Sequence, residues 1–246
     1  MNKRLDVILA EKGLAKSRTS AQALIKEGSV TVNGRVIEKP AEMFDDEKDT
    51  FEVSDKSELT KFVGRGGLKL ETAIRHFGIG LDNAVCLDIG ASTGGFTDCM
   101  LQYGAKRVYA VDVGTSQLDS KLRGDSRVIS LEKLDIRNAD SSVIPDKVDF
   151  ISIDVSFISL KLILPVIGRF AADNARCTAL IKPQFELGKK KIGKSGVVTD
   201  PKLRESVKAD IVSFAESLGF RVIGVIPSAI AGGDGNIEFL MYFMIP

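Results

Sequence analysis

The stretch VCLDIGASTGGF, Val85 to Phe96, reads as an apolar strand ending in an acidic residue, then a glycine loop and the start of a helix. That succession is the opening of a doubly wound parallel sheet, in which ligands sit beyond the carboxyl ends of the strands. Gly90, Gly94 and Gly95 let backbone come close to a ligand. The expected occupant is a nucleoside.

The spacing of the loop narrows the ligand class. A dinucleotide fingerprint, G-x-G-x-x-G, needs a middle glycine to clear the pyrophosphate, and here the three positions are Gly90, Ser92 and Gly95. This loop carries no Gly-Lys-Ser or Gly-Lys-Thr of a P-loop either. A nucleoside with an uncharged or cationic tail fits what remains, since Asp88 close by favours positive charge. S-adenosylmethionine answers that description. Asp112, closing the next predicted strand, is placed for ribose hydroxyls, and Asp135, after the third, for the adenine amino group. The predicted cofactor set is Asp88, Gly90, Ser92, Thr93, Gly94, Gly95, Phe96, Asp112, Val113, Asp135 and Ile136.

Outward from the loop, strands and helices alternate. Strands are expected at Val85–Leu87, Val108–Val111, Val128–Leu131, Val148–Ile153, Cys177–Ile181, Arg221–Ile226 and Glu238–Ile245, with helices over Gly95–Gln102, Leu160–Ile167 and Pro201–Leu218. Such alternation predicts an α/β protein with a doubly wound, seven-stranded, Rossmann-like sheet. Pro227 to Asn236 leaves no room for a crossover helix, so the last two strands should be antiparallel.

With 246 residues, 44% hydrophobic and 27% charged, the chain belongs to the ordinary globular class. Cys86, Cys99 and Cys177 form no CxxC pair and His76 is the single histidine, which argues against a zinc site or a disulfide framework and for a reducing, cytoplasmic compartment. No metal is called for. The N-terminus MNKRLDVILAEKG is amphipathic, and no apolar run reaches the ~18 residues of a membrane span, so neither a secretion signal nor a stable membrane association is expected.

Net charge is only +1, but residues 1–40 hold eight Lys and Arg against four Asp and Glu. In this front part, residues 4–12 read as a helix stopped at Gly13. A second helix follows, with Ser17 as N-cap and an apolar stripe of Ala21, Leu24 and Ile25. Asn33-Gly34 between Val30–Val32 and Arg35–Ile37 is a strong hairpin signal. Phe51 and Val53 hint at a closing strand. Arg4, Lys16 and Arg18 gather near the helix starts, where a phosphate could meet both charge and free amides. RLDVILAEKGLAKSRTSAQALIKEGSVTVNGRVI closely resembles the S4 RNA-binding domain. The resemblance implies RNA contact through Arg4, Lys16, Arg18 and Lys26.

Three more ionisable residues fall at strand ends or inside apolar runs. Asp154 ends VDFISID, Lys182 ends ALIK, and Glu238 sits in GNIEFLMYF, where a lone carboxylate is costly without a partner. Lys69, on the helix after Gly64-Arg65-Gly66-Gly67, is expected on that helix's exposed side. These four side chains could converge on one cleft. GGLKL, LDIGASTGGF, SIDVSFISL, LIKPQFE and GNIEFL, in that order, resemble the FtsJ-like RNA 2′-O-methyltransferases with their Lys-Asp-Lys-Glu tetrad. The resemblance implies a catalytic set of Lys69, Asp154, Lys182 and Glu238, with Lys182 as base or positioning group.

An S4 module joined to such a domain is similar to the TlyA-type, hemolysin-like proteins. That arrangement implies methyl transfer to a ribose 2′-hydroxyl of ribosomal RNA, with cytidine as the target and ribosomal subunits as partners. The boundaries expected are an S4 domain over 1–60, a linker over 61–66 and the methyltransferase domain over 67–246. Arg65 in the linker and Lys189, Lys190, Lys191 and Lys194 in the glycine-rich ELGKKKIGKSGVV complete the predicted RNA-contacting set. Two other classes compete: an inactive rRNA-binding protein, and a membrane-lytic hemolysin, which the lack of a suitable amphipathic helix disfavours.

Overall fold

The computed structural model of the chain describes residues 2–54, 61–188, 196–232 and 235–246. It divides into two compact units, residues 1–61 and 62–246.

The smaller unit packs helices α1 (Leu5–Glu11) and α2 (Arg18–Lys26) around a core of Leu5, Leu9, Leu24, Ile25 and Val30. Ser17 Oγ accepts from Ser20 N at 3.2 Å and so supplies the N-cap read from the sequence. Strands Val30–Val32 and Arg35–Val36 form the hairpin, with Asn33 and Gly34 both at positive φ, as a type I′ turn requires. Phe51–Val53 pairs with the other edge of Val30–Val32. A second antiparallel pair, Asn2–Arg4 with Met43–Asp45, adds to what the sequence pattern predicts.

The larger unit begins at Phe62, inside the stretch expected as a linker. Phe62 is buried in the core there, and Val63 N donates to Asp98 Oδ2 at 2.8 Å. Helix α3 (Gly66–Phe77) leads into a seven-stranded sheet of β6 (Val85–Ile89), β7 (Arg107–Asp112), β8 (Val128–Glu132), β9 (Val148–Ile153), β10 (Ala171–Ile181), β11 (Arg221–Pro227) and β12 (Phe239–Met244). The numbering counts the five short strands of the first unit as β1 to β5.

The spatial order is β11-β12-β10-β9-β6-β7-β8. All neighbours run parallel except at β12, which is antiparallel to both β10 and β11. One core lies on each face, one containing Leu70, Met100 and Phe150 and the other Ile151, Ile211 and Phe243.

Three details differ from expectation. β10 is eleven residues long, because Ala171–Ala175 continue the pairing through a register shift ahead of Arg176. The helix expected over Leu160–Ile167 is a 3-10 turn, Leu160–Leu162, followed by one short helix, Leu164–Ile167, with Pro165 at its start. A single helical turn, Pro183–Glu186, follows Lys182 directly. Among the described residues no helix is long and apolar enough to cross a membrane.

Candidate active site

The loop after β6 is held by its neighbours before any ligand is considered. Gly90 N and Ala91 N both donate to Val111 O, at 2.9 and 3.1 Å. Ser92, standing where a dinucleotide loop has glycine, still takes a left-handed backbone with φ +48°, which a non-glycine residue adopts only when its surroundings impose it. The Asp112 carboxylate supplies the constraint. Its Oδ2 accepts from Ser92 N and its Oδ1 from Gly114 N, each at 2.7 Å. Asp112 thus braces the loop, and its remaining lone pairs are what it can offer a ribose.

Several of the glycines serve protein packing. A Cβ on Gly90 would lie 2.3 Å from the carbonyl oxygen of Asp154, and one on Gly95 would lie 2.9 Å from Gly64 O and Gly67 N. On Gly94 it would strike Leu122 Cδ1 at 2.2 Å. The loop therefore seats helix α4 (Gly95–Gln102) against the start of α3 and fixes Asp154 beside Gly90.

Two cavities meet at this loop. The larger, about 450 Å³, is lined by Gly90, Ser92, Asp112, Val113, Asp135 and Ile136 among others, with apolar walls from Leu134 and Ile158. The smaller, about 270 Å³, is lined by Arg65, Lys69, Thr93, Gly95, Phe96, Asp154 and Lys182. Gly90, Ser92, Asp154 and Ser156 belong to both walls. Volume, apolar walls and strand-end carboxylates suit a nucleoside in the larger one.

Two expected cofactor residues line neither cavity. Asp88 is fully buried, its Oδ2 accepting from Thr97 Oγ1 at 2.6 Å and its Oδ1 from Ser152 Oγ at 2.9 Å. Burial pushes this carboxyl up to about 6, against the pull of those two hydrogen bonds. It lies beneath the loop, so a direct attraction for a cationic tail is replaced by a structural role. Gly94 faces Leu118 and Leu122 instead of the ligand space. Thr93, Gly95 and Phe96 line the smaller cavity and not the nucleoside side. Asp135 does face the larger cavity, yet Arg137 grips it through Nε and Nη2, at 3.0 and 2.6 Å, and holds it below the usual carboxylate range.

The four tetrad residues form two charge pairs. Lys69 Nζ lies 2.6 Å from Glu238 Oε2, and Lys182 Nζ lies 2.5 Å from Asp154 Oδ1. The Lys182–Asp154 contact is a charge contact, while the aligned hydrogen bond from Lys182 Nζ goes to Ser156 Oγ at 3.0 Å. Lys69 is buried, contrary to the exposed position expected for it, because α3 turns this face to the carboxyl edge of the sheet, where Glu238 compensates its charge. Glu238 is 3% exposed and stands behind Lys69, outside the cavity wall.

Sequence reasoning misses Ser156 and Phe157. Phe157 is 90% exposed with φ +64°, lines the larger cavity, and has its ring centroid 4.9 Å from that of Phe185. A bulky residue in the left-handed region is a genuine outlier and marks a constrained place. Composition and periodicity carry no trace of it.

Of the predicted RNA-contacting residues, Arg4 and Arg18 come together on one acid. Asp6, fully buried, accepts from Arg4 Nε and Nη2 at 3.0 Å each, from Arg18 Nη2 at 3.3 Å and from Gln22 Nε2 at 2.6 Å. These partners, Arg4 foremost, hold its carboxyl well below the usual range. Lys16 and Lys26 are exposed on the same unit, and Arg65 is exposed at the smaller cavity. Lys189, Lys190, Lys191 and Lys194 lie outside the described residues.

The strand order, the braced loop and the paired charges at the sheet's carboxyl edge define a doubly wound methyltransferase. Residues 62–244 match the FtsJ-like methyltransferase family and residues 3–50 the S4 domain. The chain belongs to the FtsJ-like methyltransferase family and carries an S4 domain ahead of it.

It is 40% identical to the 16S/23S rRNA (cytidine-2'-O)-methyltransferase TlyA of Mycobacterium tuberculosis, over 97% of this chain and 88% of that one. It is 42% identical to Hemolysin A of Brachyspira hyodysenteriae, over 98% of this chain and all of that one. A solved structure named "Putative hemolysin from Streptococcus thermophilus" superposes with a TM-score of 0.77 at 44% identity, covering 99% of this chain and 88% of that one.

Proposed function

We propose that the protein transfers a methyl group from S-adenosylmethionine to a ribose 2′-hydroxyl of ribosomal RNA, with cytidine as the nucleoside. The observation that carries the reading is the Lys182–Asp154 pair: Asp154 stands on the wall common to the two cavities and Lys182 on the wall of the smaller one. The larger cavity takes the cofactor's nucleoside and the smaller takes the target ribose. When bound, the cofactor supplies a methyl group activated on a sulfonium.

The residues of this chain supply the rest. A ribose hydroxyl is a weak nucleophile, so its proton must be relieved and its oxygen aimed. Lys182 Nζ donates to Ser156 Oγ and lies in charge contact with Asp154 Oδ1, which together aim the amine and leave donor capacity for the substrate oxygen. Asp154 fixes that amine, and through Gly90 its backbone is fixed to the cofactor loop. Lys69, held by Glu238, offers a positive edge to the ribose or an adjacent phosphate. Gly90, Ser92, Asp112, Val113, Asp135 and Ile136 line the cavity for the cofactor, and Thr93, Gly95 and Phe96 line the one for the ribose. Phe157 presents an exposed ring at the rim, suited to stacking on a base.

The S4 domain adds affinity for structured RNA through Arg4, Lys16, Arg18 and Lys26, with Arg65 and the Lys189–Lys194 segment contributing charge. Ribosomal RNA in assembled or partly assembled subunits is the partner, and the cytoplasm is the place of action. The test is a map of 2′-O-methylation on rRNA from cells carrying the native chain or Lys182→Ala. Loss of a methyl mark with the variant supports the reading, and identical maps overturn it.

The name of the Brachyspira relative favours one second reading, a membrane-lytic protein. Release of dye from liposomes by the purified chain, unaltered in Lys182→Ala, would favour it.

A further inference from the structure

The two segments that carry the charge pair, Asp154–Ser159 after β9 and Lys182–Glu186 after β10, touch again away from the charges. Glu186 Oε1 accepts from Leu160 N at 2.8 Å, and Ser159 Oγ donates to Glu186 Oε2. Ser159 Oγ also accepts from Lys161 N at 3.1 Å, capping the 3-10 turn that follows. Between this contact and the Lys182–Asp154 pair lie Phe157 and Phe185, with Lys182 Nζ 5.8 Å from the Phe185 ring centroid. Phe157 is therefore bracketed, with a charge pair three residues before it and a carboxylate clamp two and three residues after it.

Such a bracket is what a left-handed phenylalanine needs. A conformation of this kind persists only when its surroundings over-determine it. The ring itself is almost wholly exposed and contributes little packing to hold its own backbone. The restraint must come from the ends of the segment, and Glu186 is the one ionisable side chain joined to its C-terminal end among the described contacts. The carboxyl is half-buried, and burial raises it above its ordinary value.

We propose that Glu186 is a positioning residue: it clamps the Asp154–Ser159 segment to the turn after Lys182 and so holds Phe157 over the rim of the cofactor cavity. The substrate-facing consequence rests on the function proposed above, whereas the clamp itself does not. Gln at 186 can accept from Leu160 N through its amide oxygen and donate to Ser159 Oγ, so Glu186→Gln should keep the clamp, and Glu186→Ala should release it.

The chain has no tryptophan. Phe157→Trp therefore installs a single emitter at the position in question. Expected is a lower fluorescence anisotropy of the introduced indole with Glu186→Ala and an unchanged one with Glu186→Gln. Ser159→Ala, which removes one of the two contacts, should fall between them and serves if Glu186→Ala does not fold. Equal anisotropy across all variants would overturn the clamp.

The second measurement is a cycle on rRNA methyl transfer. Glu186→Ala and Phe157→Ala should each lower kcat/KM by about tenfold, and the double variant by no more than the larger single effect, since both remove the same element. Independent, multiplying losses would overturn the role assigned through Phe157. If the native chain transfers no methyl group to rRNA, the proposed function fails while the anisotropy result still decides the clamp.

Discussion

Lys69 and Glu238, 169 residues apart in the chain, meet at 2.6 Å with side chains only 11% and 2% exposed. A pair so placed has given up most of its hydration, and its stability depends on both members being present. Glu238→Ala should cost about 3 kcal/mol or more by chemical denaturation, because it leaves a buried ammonium without an anion. Replacing both with apolar residues of similar volume should cost clearly less than either single change. A double variant as unstable as the sum of the two would contradict this coupling.

Lys182→Ala should lower methyl transfer by roughly 10²- to 10⁴-fold, the range for removing a positioned proton-transfer group. Binding of S-adenosylmethionine, followed by calorimetry, should be little changed, since Lys182 lines only the smaller cavity. Loss of cofactor binding together with activity would assign Lys182 to the cofactor.

Gly90→Ala and Gly94→Ala should separate ligand effects from packing effects. Both positions have positive φ, and both substitutions should lower the melting temperature. At Gly90 the new methyl meets the backbone oxygen of Asp154, on the wall common to both cavities, so cofactor affinity should fall as well. At Gly94 it meets leucine side chains that can shift, and affinity should be largely kept. Isothermal titration on both variants checks the contrast.

Asp88 should make the protein less stable as pH rises through the weakly acidic range. Its carboxyl titrates at about 6 in the folded chain and near its ordinary value, about 4, when unfolded, so the folded state holds the proton more tightly. The stabilisation is complete below about pH 4 and is lost by a little above pH 6, a change of roughly 3 kcal/mol. Asp88→Asn, which cannot ionise, should flatten this part of the curve and melt higher than the native chain at slightly alkaline pH. A variant that melts lower there would mean that the ionised carboxylate is the stabilising form.

Much of the sheet is legible in the sequence because buried parallel strands are apolar runs separated by helical periods, and β9 and α4 fall where those patterns put them. The strand pair Asn2–Arg4 with Met43–Asp45 escapes because three residues are too few for alternation to register. The burial of Lys69 escapes too, since a helix pattern gives the apolar stripe but not which neighbouring residue is long enough to reach a distant carboxylate. Asp88 reads as a ligand contact because position at a strand end does not say whether a side chain lies above the loop or beneath it. Ser92 is legible as a substitution, but its left-handed backbone and the Asp112 brace depend on contacts twenty residues away. Phe157 leaves no sign in the pattern, for backbone strain is a property of the surroundings and not of composition.

The acid beneath Arg4 and Arg18 changes how the basic front of the chain should be counted. With Asp6 ionised, the two guanidiniums and their carboxylate sum to one positive charge, and the tally of lysines and arginines overstates the pull on a distant phosphate. What the cluster has instead is aim: two forks from separate helix starts are tied to one carboxylate, so part of their ordering is in place before any anion is met. On the RNA-contacting role proposed for Arg4 and Arg18, such a site would give up strength of attraction for discrimination, favouring a phosphate at one spacing over the merely anionic.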